Sequence, residues 1–269
     1  MKLKLLFLLA AFCATSARAD IVFLGADKDA SIVAGNPDNS NGGGPCFFAG
    51  TDGNDSPHRA LISFNLSGIP AGATITDVQL TLTLAQVAGS GGGGGGVIAH
   101  TATVGLFDLN QNWGEGTVES DASGIGGTGQ GDTAHPGDAT WNAAFHQQKS
   151  WNNPGGDHAA GASASLFMDN NSAGTVYTWA STPQMVADVQ GWLNDPSTNF
   201  GWEMINADET DPRTFFAFFS SEWATFPGGN ADQEPALQVT FTVPEPTAGS
   251  WAGLAVFTLF ARRPLRRRA

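Results

Sequence analysis

The sequence HRALISFNLSGIPAGATITDVQLTLTL, residues 58–84, decides the fold class. Apolar residues occupy every second position of both halves: Ala60, Ile62, Phe64 and Leu66 in the first, and Val78, Leu80, Leu82 and Leu84 in the second. Alternation with a period of two is typical of a half-buried β-strand. The segment SGIPAG, residues 67–72, interrupts the pattern, because proline has no N–H donor and glycine tolerates positive φ. The stretch therefore predicts two successive strands of an antiparallel sheet.

The remainder of the chain shows more short strand patterns separated by Gly- and Asn-rich turns. One segment differs, because Thr182 is placed to cap a helix that begins at Pro183. The apolar stripe of this helix consists of Met185, Val186, Val189, Trp192 and Leu193. Asn194-Asp195-Pro196 ends it. Many short strands and one short helix predict an all-β protein, a jelly-roll β-sandwich.

The N-terminal residues 1–19 predict a secretory signal peptide. Lys2 and Lys4 precede an apolar run at residues 5–12, and Ala17-Arg18-Ala19 provides a small-x-small cleavage site. The mature chain is therefore expected to be exported.

The C-terminal residues 244–269 have three parts in a fixed order: Pro244-Glu245-Pro246, an apolar run of about 14 residues at 248–261, and five arginines. The run is shorter than the ~20 residues that a free-standing transmembrane helix needs, and the arginines would hold the tail on the inner side of the membrane. These parts closely resemble the PEP-CTERM sorting signal. The resemblance implies that an exosortase, a membrane-embedded cysteine transpeptidase, removes the tail after transient inner-membrane anchoring, and that the protein reaches the cell surface or matrix.

The region between the signals, residues 20–243, is one predicted domain and is strongly acidic. It holds 24 acidic side chains against four basic ones, a net charge of −20. Such an excess argues against nucleic acid and anionic membranes as partners. Cys46 is the only cysteine of this region, so an intrachain disulfide is not available, and the length suffices for one β-sandwich core without it.

Motifs along residues 27–242 resemble, in order, those of DNRLRE domains, a family related to carbohydrate-binding modules. The family hallmark RaLixFDLSxIP is similar to RALISFNLSGIP at residues 59–70, with Asn65 in place of the usual aspartate. The other similar segments are DKDA at 27–30, WGEG at 113–116, TW at 140–141, WNNPGGD at 151–157, VQGW at 189–192, NFGW at 199–202, and FSSE at 219–222 with Ser221 where arginine is common. The resemblance implies a jelly-roll fold and extracellular binding or scaffolding, often of polysaccharide, and rarely chemistry.

Eight tryptophans against one tyrosine favour a surface on which sugars stack. A pyranose stacks on an exposed, rigid aromatic face, which tryptophan supplies. Trp223 lies in a Gly- and Pro-rich loop and is the predicted exposed, ligand-binding residue. The alternative is that tryptophans fill the core, as most large aromatic residues do, and it is the expectation for Trp113, Trp141, Trp151, Trp179 and Trp192.

Asp27, Asp29, Asp38 and Asn41 are the predicted metal ligands, because Ca²⁺ binds six to eight hard oxygen atoms. A second acidic cluster is NADETD at residues 206–211. The alternative for both is a solvated acidic loop, since Asp-x-Asp is common in turns.

The sequence lacks recognisable catalytic signatures. Glu115 and Glu203 are a candidate carboxylate pair, but the sequence does not set their separation, on which a glycosidase depends. The five histidines have no metal-ligand spacing, and no Gly-x-Ser-x-Gly elbow occurs. We therefore expect no enzyme. The hypotheses are, in order, a noncatalytic exported protein that binds polysaccharide, a structural or adhesive matrix protein without a small-ligand site, and a polysaccharide-cleaving enzyme.

Overall fold

The computed structural model describes residues 18–87, 101–119, 129–169 and 172–244. These ranges contain one α-helix, α1 (Pro183–Asn194), and short 3-10 helices at Pro196–Thr198, Trp223–Thr225 and Ala231–Gln233. The strands are β1 (Ala19–Val33), β2 (Asn39–Ser40), β3 (Cys46–Thr51), β4 (Pro57–Phe64), β5 (Thr74–Val87), β6 (Ala102–Asp108), β7 (Asp132–Thr133), β8 (Ala143–Phe145), β9 (Lys149–Ser150), β10 (Ala164–Met168), β11 (Val176–Trp179), β12 (Trp202–Asn206), β13 (Phe216–Phe219) and β14 (Ala236–Thr242). Strands account for 43% of the described residues and helices for 10%, which confirms the all-β class.

Ten of the strands join in one large antiparallel sheet. Its order is β1-β14-β5-β13-β3-β4-β12-β6-β10, and β11 pairs with β5. Two small separate ladders join β2 to β7 and β8 to β9. The predicted strands of residues 58–84 are β4 and β5. They follow each other in the chain but are not neighbours in the sheet, because β13 and β3 lie between them.

Strand β1 changes its partner along its length. Residues 19–25 pair with β14, with Ala19 opposite Thr242. After a bulge between Ala26 and Lys28, the C-terminal half pairs with β4 instead. A bulge bends the strand that contains it, so β1 connects the region around β14 with the region around β4.

One large apolar core receives alternate residues of β4 and β5 together with one face of α1. Its members include Ala60, Ile62, Phe64, Val78, Leu80, Leu82, Leu84, Met185, Val189 and Trp192. The prediction that β4 is half-buried is wrong, because Leu61 is also fully buried, in a second cluster with Trp113 and Trp151. Residues that follow β6 cover the outer face of β4, and this strand is consequently buried on both sides.

The predicted helix is confirmed as α1. The side-chain oxygen of Thr182 accepts a hydrogen bond from the Met185 N–H at 3.0 Å, and Pro183 occupies the first turn. Both features match a helix N-terminus, where the first N–H groups have no partner within the helix.

All buried side chains of the described residues lie between Asp29 and Phe241, so residues 20–243 contain the whole described core. No helix in the described ranges is long and apolar enough to cross a membrane. Several parts of the predicted sorting signals fall outside the described residues: Ala17, Glu245, Pro246 and the apolar run at 248–261.

Candidate functional site

Trp223 is buried, and the prediction that it presents an exposed face is wrong. Only 5% of the residue is accessible to solvent. Its ring stacks on Phe219 with centroids 4.5 Å apart, and its indole N–H donates to Gln233 Oε1 at 3.0 Å. The loop that carries it forms two short 3-10 helices that fold back over the sheet. Trp223 therefore packs against the fold, which removes it as a stacking platform.

The other tryptophans of the described residues are buried or half-buried. Trp113, Trp151, Trp179, Trp192 and Trp202 are buried. Trp141 is half-buried, and the Arg59 guanidinium lies 5.0 Å from its ring centroid.

The four predicted calcium ligands are not brought together. The Asp38 Oδ1 accepts from Asn142 Nδ2 at 3.0 Å, and the Asn41 Nδ2 donates to the Cys46 carbonyl at 3.0 Å. These contacts direct the two side chains to different neighbours. Of the four, only Asp29 belongs to a cluster that suits a metal ion, and its partners come from elsewhere in the chain.

That cluster consists of Asp29, Glu115 and Glu222, and each contributes one carboxylate oxygen within 4.8 Å of the other two. Asp29 lies in β1, Glu115 follows β6 and Glu222 follows β13. The Asp29 main-chain N–H donates to Glu115 Oε1 at 2.7 Å, and the Ser221 N–H donates to Asp29 Oδ2 at 2.8 Å. The main chain at Gly42 packs directly against the main chain at Glu115, because a Cβ at position 42 would overlap the Glu115 carbonyl oxygen.

Burial and mutual repulsion make this cluster reluctant to carry three negative charges. Burial raises the pKa of Glu115 to about 7, and the negative charges of Glu222 and Asp27 add to the rise. Burial and the Glu222 charge raise the pKa of Asp29 well above its usual value. The cluster thus holds protons near neutral pH, or it offers oxygen ligands to a hard divalent cation such as Ca²⁺.

Glu203 does not pair with Glu115 and lies in a separate polar cluster. Its carboxylate is fully buried, with Arg59 Nη1 3.8 Å from Oε1 and His158 Nε2 3.9 Å from Oε2. Neither oxygen has a hydrogen-bond partner. Arg59 instead binds Glu209 through two hydrogen bonds of 2.7 Å. Glu203 and Glu115 therefore have different neighbours, since Glu115 lies against Asp29 and Glu222.

Burial, reinforced by Glu209 and Asp157, raises the pKa of Glu203 to about 8, although Arg59 opposes the rise. Gly156, with φ of +109°, packs directly on the carboxylate, because a Cβ at this position would overlap both oxygens. The loop at residues 152–157 thus closes over a neutral acid at pH 7.

A cavity of about 590 Å³ lies between the turn that joins β4 to β5 and the C-terminal end of α1. Its floor is apolar and consists of the buried side chains Phe64, Leu66, Ile69 and Trp192. The Trp192 indole N–H donates to Asp108 Oδ1 at 3.1 Å, which fixes the ring. The volume is in the range of small-molecule sites.

The rim of this cavity is polar. It includes Asp27, Asn65, Ser67 and Asn199. The Asn65 Oδ1 accepts from the Ser67 N–H at 2.9 Å, and the Asn199 Nδ2 donates to the Phe64 carbonyl at 2.8 Å. Sequence reasoning missed this site, although the NLSGIP turn and the helix residue Trp192 that build it were both recognised as structural elements.

Searches against models of known protein families and against curated proteins found no match for this chain. The resemblances to DNRLRE domains and to the PEP-CTERM signal therefore stay predictions.

Proposed function

We propose that the mature chain is an exported, noncatalytic protein of the cell surface or extracellular matrix that binds a neutral polysaccharide in the cavity beside Trp192. The observation that carries the proposal is the apolar floor of this cavity beneath a polar rim. A sugar ring has a C–H face that suits such a floor and hydroxyl groups that suit such a rim. Binding here does not depend on Trp223.

The charge of the domain favours a neutral ligand. Residues 20–243 carry a net charge of −20, and Asp27 stands on the rim of the cavity. Like charges would oppose an anionic polysaccharide at long range, and Lys28 lines the cavity together with Asp27.

Export is supported by the predicted signals and by where the domain ends. Ala19, the predicted last residue of the signal peptide, lies opposite Thr242 in the β1–β14 ladder, close to Pro244 of the Pro244-Glu245-Pro246 motif. Both predicted processing points are thus close to the same end of the β1–β14 pair. Removal of residues 1–19 and release of the tail by an exosortase would leave the described core intact.

A jelly-roll sandwich, the architecture of the resembling DNRLRE family, is the fold that we propose. The large core contains side chains of β5 and β14 as well as side chains of β4, β6 and β12. A core shared between these two groups of strands, with β1 passing from one group to the other, is the arrangement expected of two packed layers.

Binding is tested by isothermal titration of residues 20–243 with neutral tetrasaccharides of glucose, mannose and xylose. Ala71 is exposed at the cavity mouth, so Ala71→Trp should block the cavity and weaken binding on the order of tenfold or more. Ala160→Trp is the matched control, because Ala160 is exposed and does not line the cavity. Equal binding by the Ala71→Trp variant and the wild type would place the ligand elsewhere.

A structural or adhesive role is the second candidate. It is favoured by Ile21 and Phe23, which are 58% and 70% exposed on the part of β1 that pairs only with β14. An edge strand with exposed apolar side chains promotes association between sheets. Self-association that Phe23→Lys abolishes, together with no binding of any neutral oligosaccharide, would support this role over the first.

A further inference from the structure

The N-terminal half of β1 has one open edge among the described residues. Residues 19–25 pair with β14 on one side, and the pairing of β1 with β4 begins only at Ala26. A strand directs main-chain N–H and C=O groups to both of its sides, so a strand at the edge of a sheet presents a row of unpaired groups. This segment can therefore accept a further strand.

The segment lacks the features that commonly protect edge strands, which are lysine, proline and β-bulges. Its sequence, ADIVFLG, contains neither lysine nor proline. The bulge of β1 follows the segment, between Ala26 and Lys28. Residues 19–25 are consequently regular and open to pairing.

Two large apolar side chains of this segment face away from the core. Val22 and Leu24 pack against the large core, whereas Ile21 and Phe23 alternate with them and are 58% and 70% exposed. The hydrophobic effect favours a contact that covers Ile21 and Phe23.

The segment is complementary to itself. If two copies pair antiparallel about a two-fold axis at Val22, Ile21 of each copy lies opposite Phe23 of the other, so one symmetric contact covers all four side chains. A β-branched residue opposite an aromatic residue is a favourable cross-strand pair. A second copy of the chain therefore fits this edge.

The distribution of charge also favours this edge as the contact between copies. Residues 20–243 carry a net charge of −20, so two copies repel each other at long range. Asp20 is the only charged residue of the segment, and the β14 residues opposite Ile21 and Phe23 are the uncharged Thr240 and Gln238. Pairing about Val22 places the two Asp20 residues at opposite ends of the new ladder, which keeps their repulsion small.

We propose that the mature chain forms a two-fold symmetric dimer, in which residues 20–24 of β1 pair antiparallel with the same residues of a second copy. The sheet continues from one copy into the other, with Ile21 opposite Phe23. Contact along one strand edge is small, so the dimer dissociates on dilution. Residues 19–25 do not line the cavity beside Trp192, and dimer formation does not depend on glycan binding.

The experiment is sedimentation velocity of residues 20–243 from micromolar to millimolar concentration. We expect the wild type to pass from monomer to dimer in this range. Phe23→Lys should stay monomeric with an unchanged Tm, because Phe23 is exposed and its replacement leaves the core intact. Phe167→Lys is the matched control and should dimerise as the wild type does, since Phe167 is 64% exposed on β10, the strand at the other end of the sheet.

A mixture of two variants tests the register. Ile21→Lys and Phe23→Glu should each be monomeric alone, because each places a charge opposite an apolar side chain. An equimolar mixture should dimerise, since the register places the new positive charge of one variant opposite the new negative charge of the other.

Three results would overturn the inference. A wild type that stays monomeric at millimolar concentration would show that the edge does not bind a second copy. Loss of association in Phe167→Lys as well as in Phe23→Lys would indicate head-to-tail pairing of β1 with β10 of the next copy, which gives assemblies larger than dimers. A mixture of Ile21→Lys and Phe23→Glu that stays monomeric would refute the register centred on Val22. Each of these results would leave the proposed glycan binding unaffected.

Discussion

Glu203→Gln should remove much of the pH dependence of stability. Glu203 lies in β12, fully buried, and neither of its oxygens accepts a hydrogen bond. Burial raises the pKa of this carboxyl from its usual 4.5 to about 8. Glutamine has the shape of the protonated acid and cannot ionise, so it reproduces the neutral form at every pH.

The sign and the size of the effect follow from this pKa. Between about pH 4.5 and pH 8 the unfolded chain ionises Glu203 whereas the folded chain keeps the proton, so the free energy of unfolding falls as the pH rises through this window. At 1.36 kcal/mol per pH unit, the loss attributable to Glu203 amounts to about 5 kcal/mol and levels off above pH 8. Glu203→Gln should match the wild type near pH 4.5 and exceed it in stability by about that amount at pH 9.

Urea denaturation at pH 5, 7 and 9 measures this difference. Glu115 and Asp108 also have raised pKa values, about 7 and about 6. Their effect on the pH dependence of the free energy of unfolding is the same in the wild type and in Glu203→Gln. The difference between wild type and variant therefore isolates Glu203. Glu119→Gln, at an exposed position, is the matched control and should follow the wild-type curve. Parallel curves for the wild type and Glu203→Gln would refute the reasoning.

Three further predictions concern other buried groups. Glu222→Gln should raise the Tm at pH 8, because it removes a charge that repels Asp29. Millimolar Ca²⁺ should raise the Tm of the wild type more than that of Glu222→Gln, which lacks one carboxylate ligand. A Tm that neither the substitution nor Ca²⁺ changes would contradict this prediction. Trp223→Ala should lower the free energy of unfolding by about 3–5 kcal/mol, since the ring stacks on Phe219, and a loss below about 1 kcal/mol in urea would argue against it. The Cys46 thiol, whose pKa burial raises, should react with maleimide only after unfolding, and rapid labelling of the native protein would be the opposite result.

Local patterns sufficed to predict the fold class, the strands β4 and β5, and α1. Alternating apolar residues and a Thr182 cap are short-range signals, and the structure uses them as expected. The burial of both faces of β4 was not predictable in this way. Leu61 is covered by residues about 50 to 90 positions further along the chain. The alternation of apolar residues within β4 gives no information about these distant residues.

The acidic cluster around Asp29 and the burial of Trp223 were harder to predict, because both depend on contacts between residues far apart in the sequence. Asp29 meets Glu115 and Glu222, each from a different region of the chain, whereas the expected ligands near Asp29 in the sequence turn to other partners. The Gly and Pro neighbours of Trp223 predict an exposed loop, yet this loop forms a 3-10 helix and the ring is buried. Composition identifies flexible segments, and the packing of their side chains is decided elsewhere in the fold.

The central claim is that a neutral glycan occupies the cavity beside Trp192. The most direct test is an NMR titration of ¹⁵N-labelled residues 20–243 with the neutral tetrasaccharides, followed through the backbone and side-chain amide signals. We predict saturable shifts for the signals of Asn65, Ser67 and Asn199, which line the cavity, and none for Trp223. Saturable shifts confined to other surfaces, or no shifts at millimolar sugar, would contradict the claim.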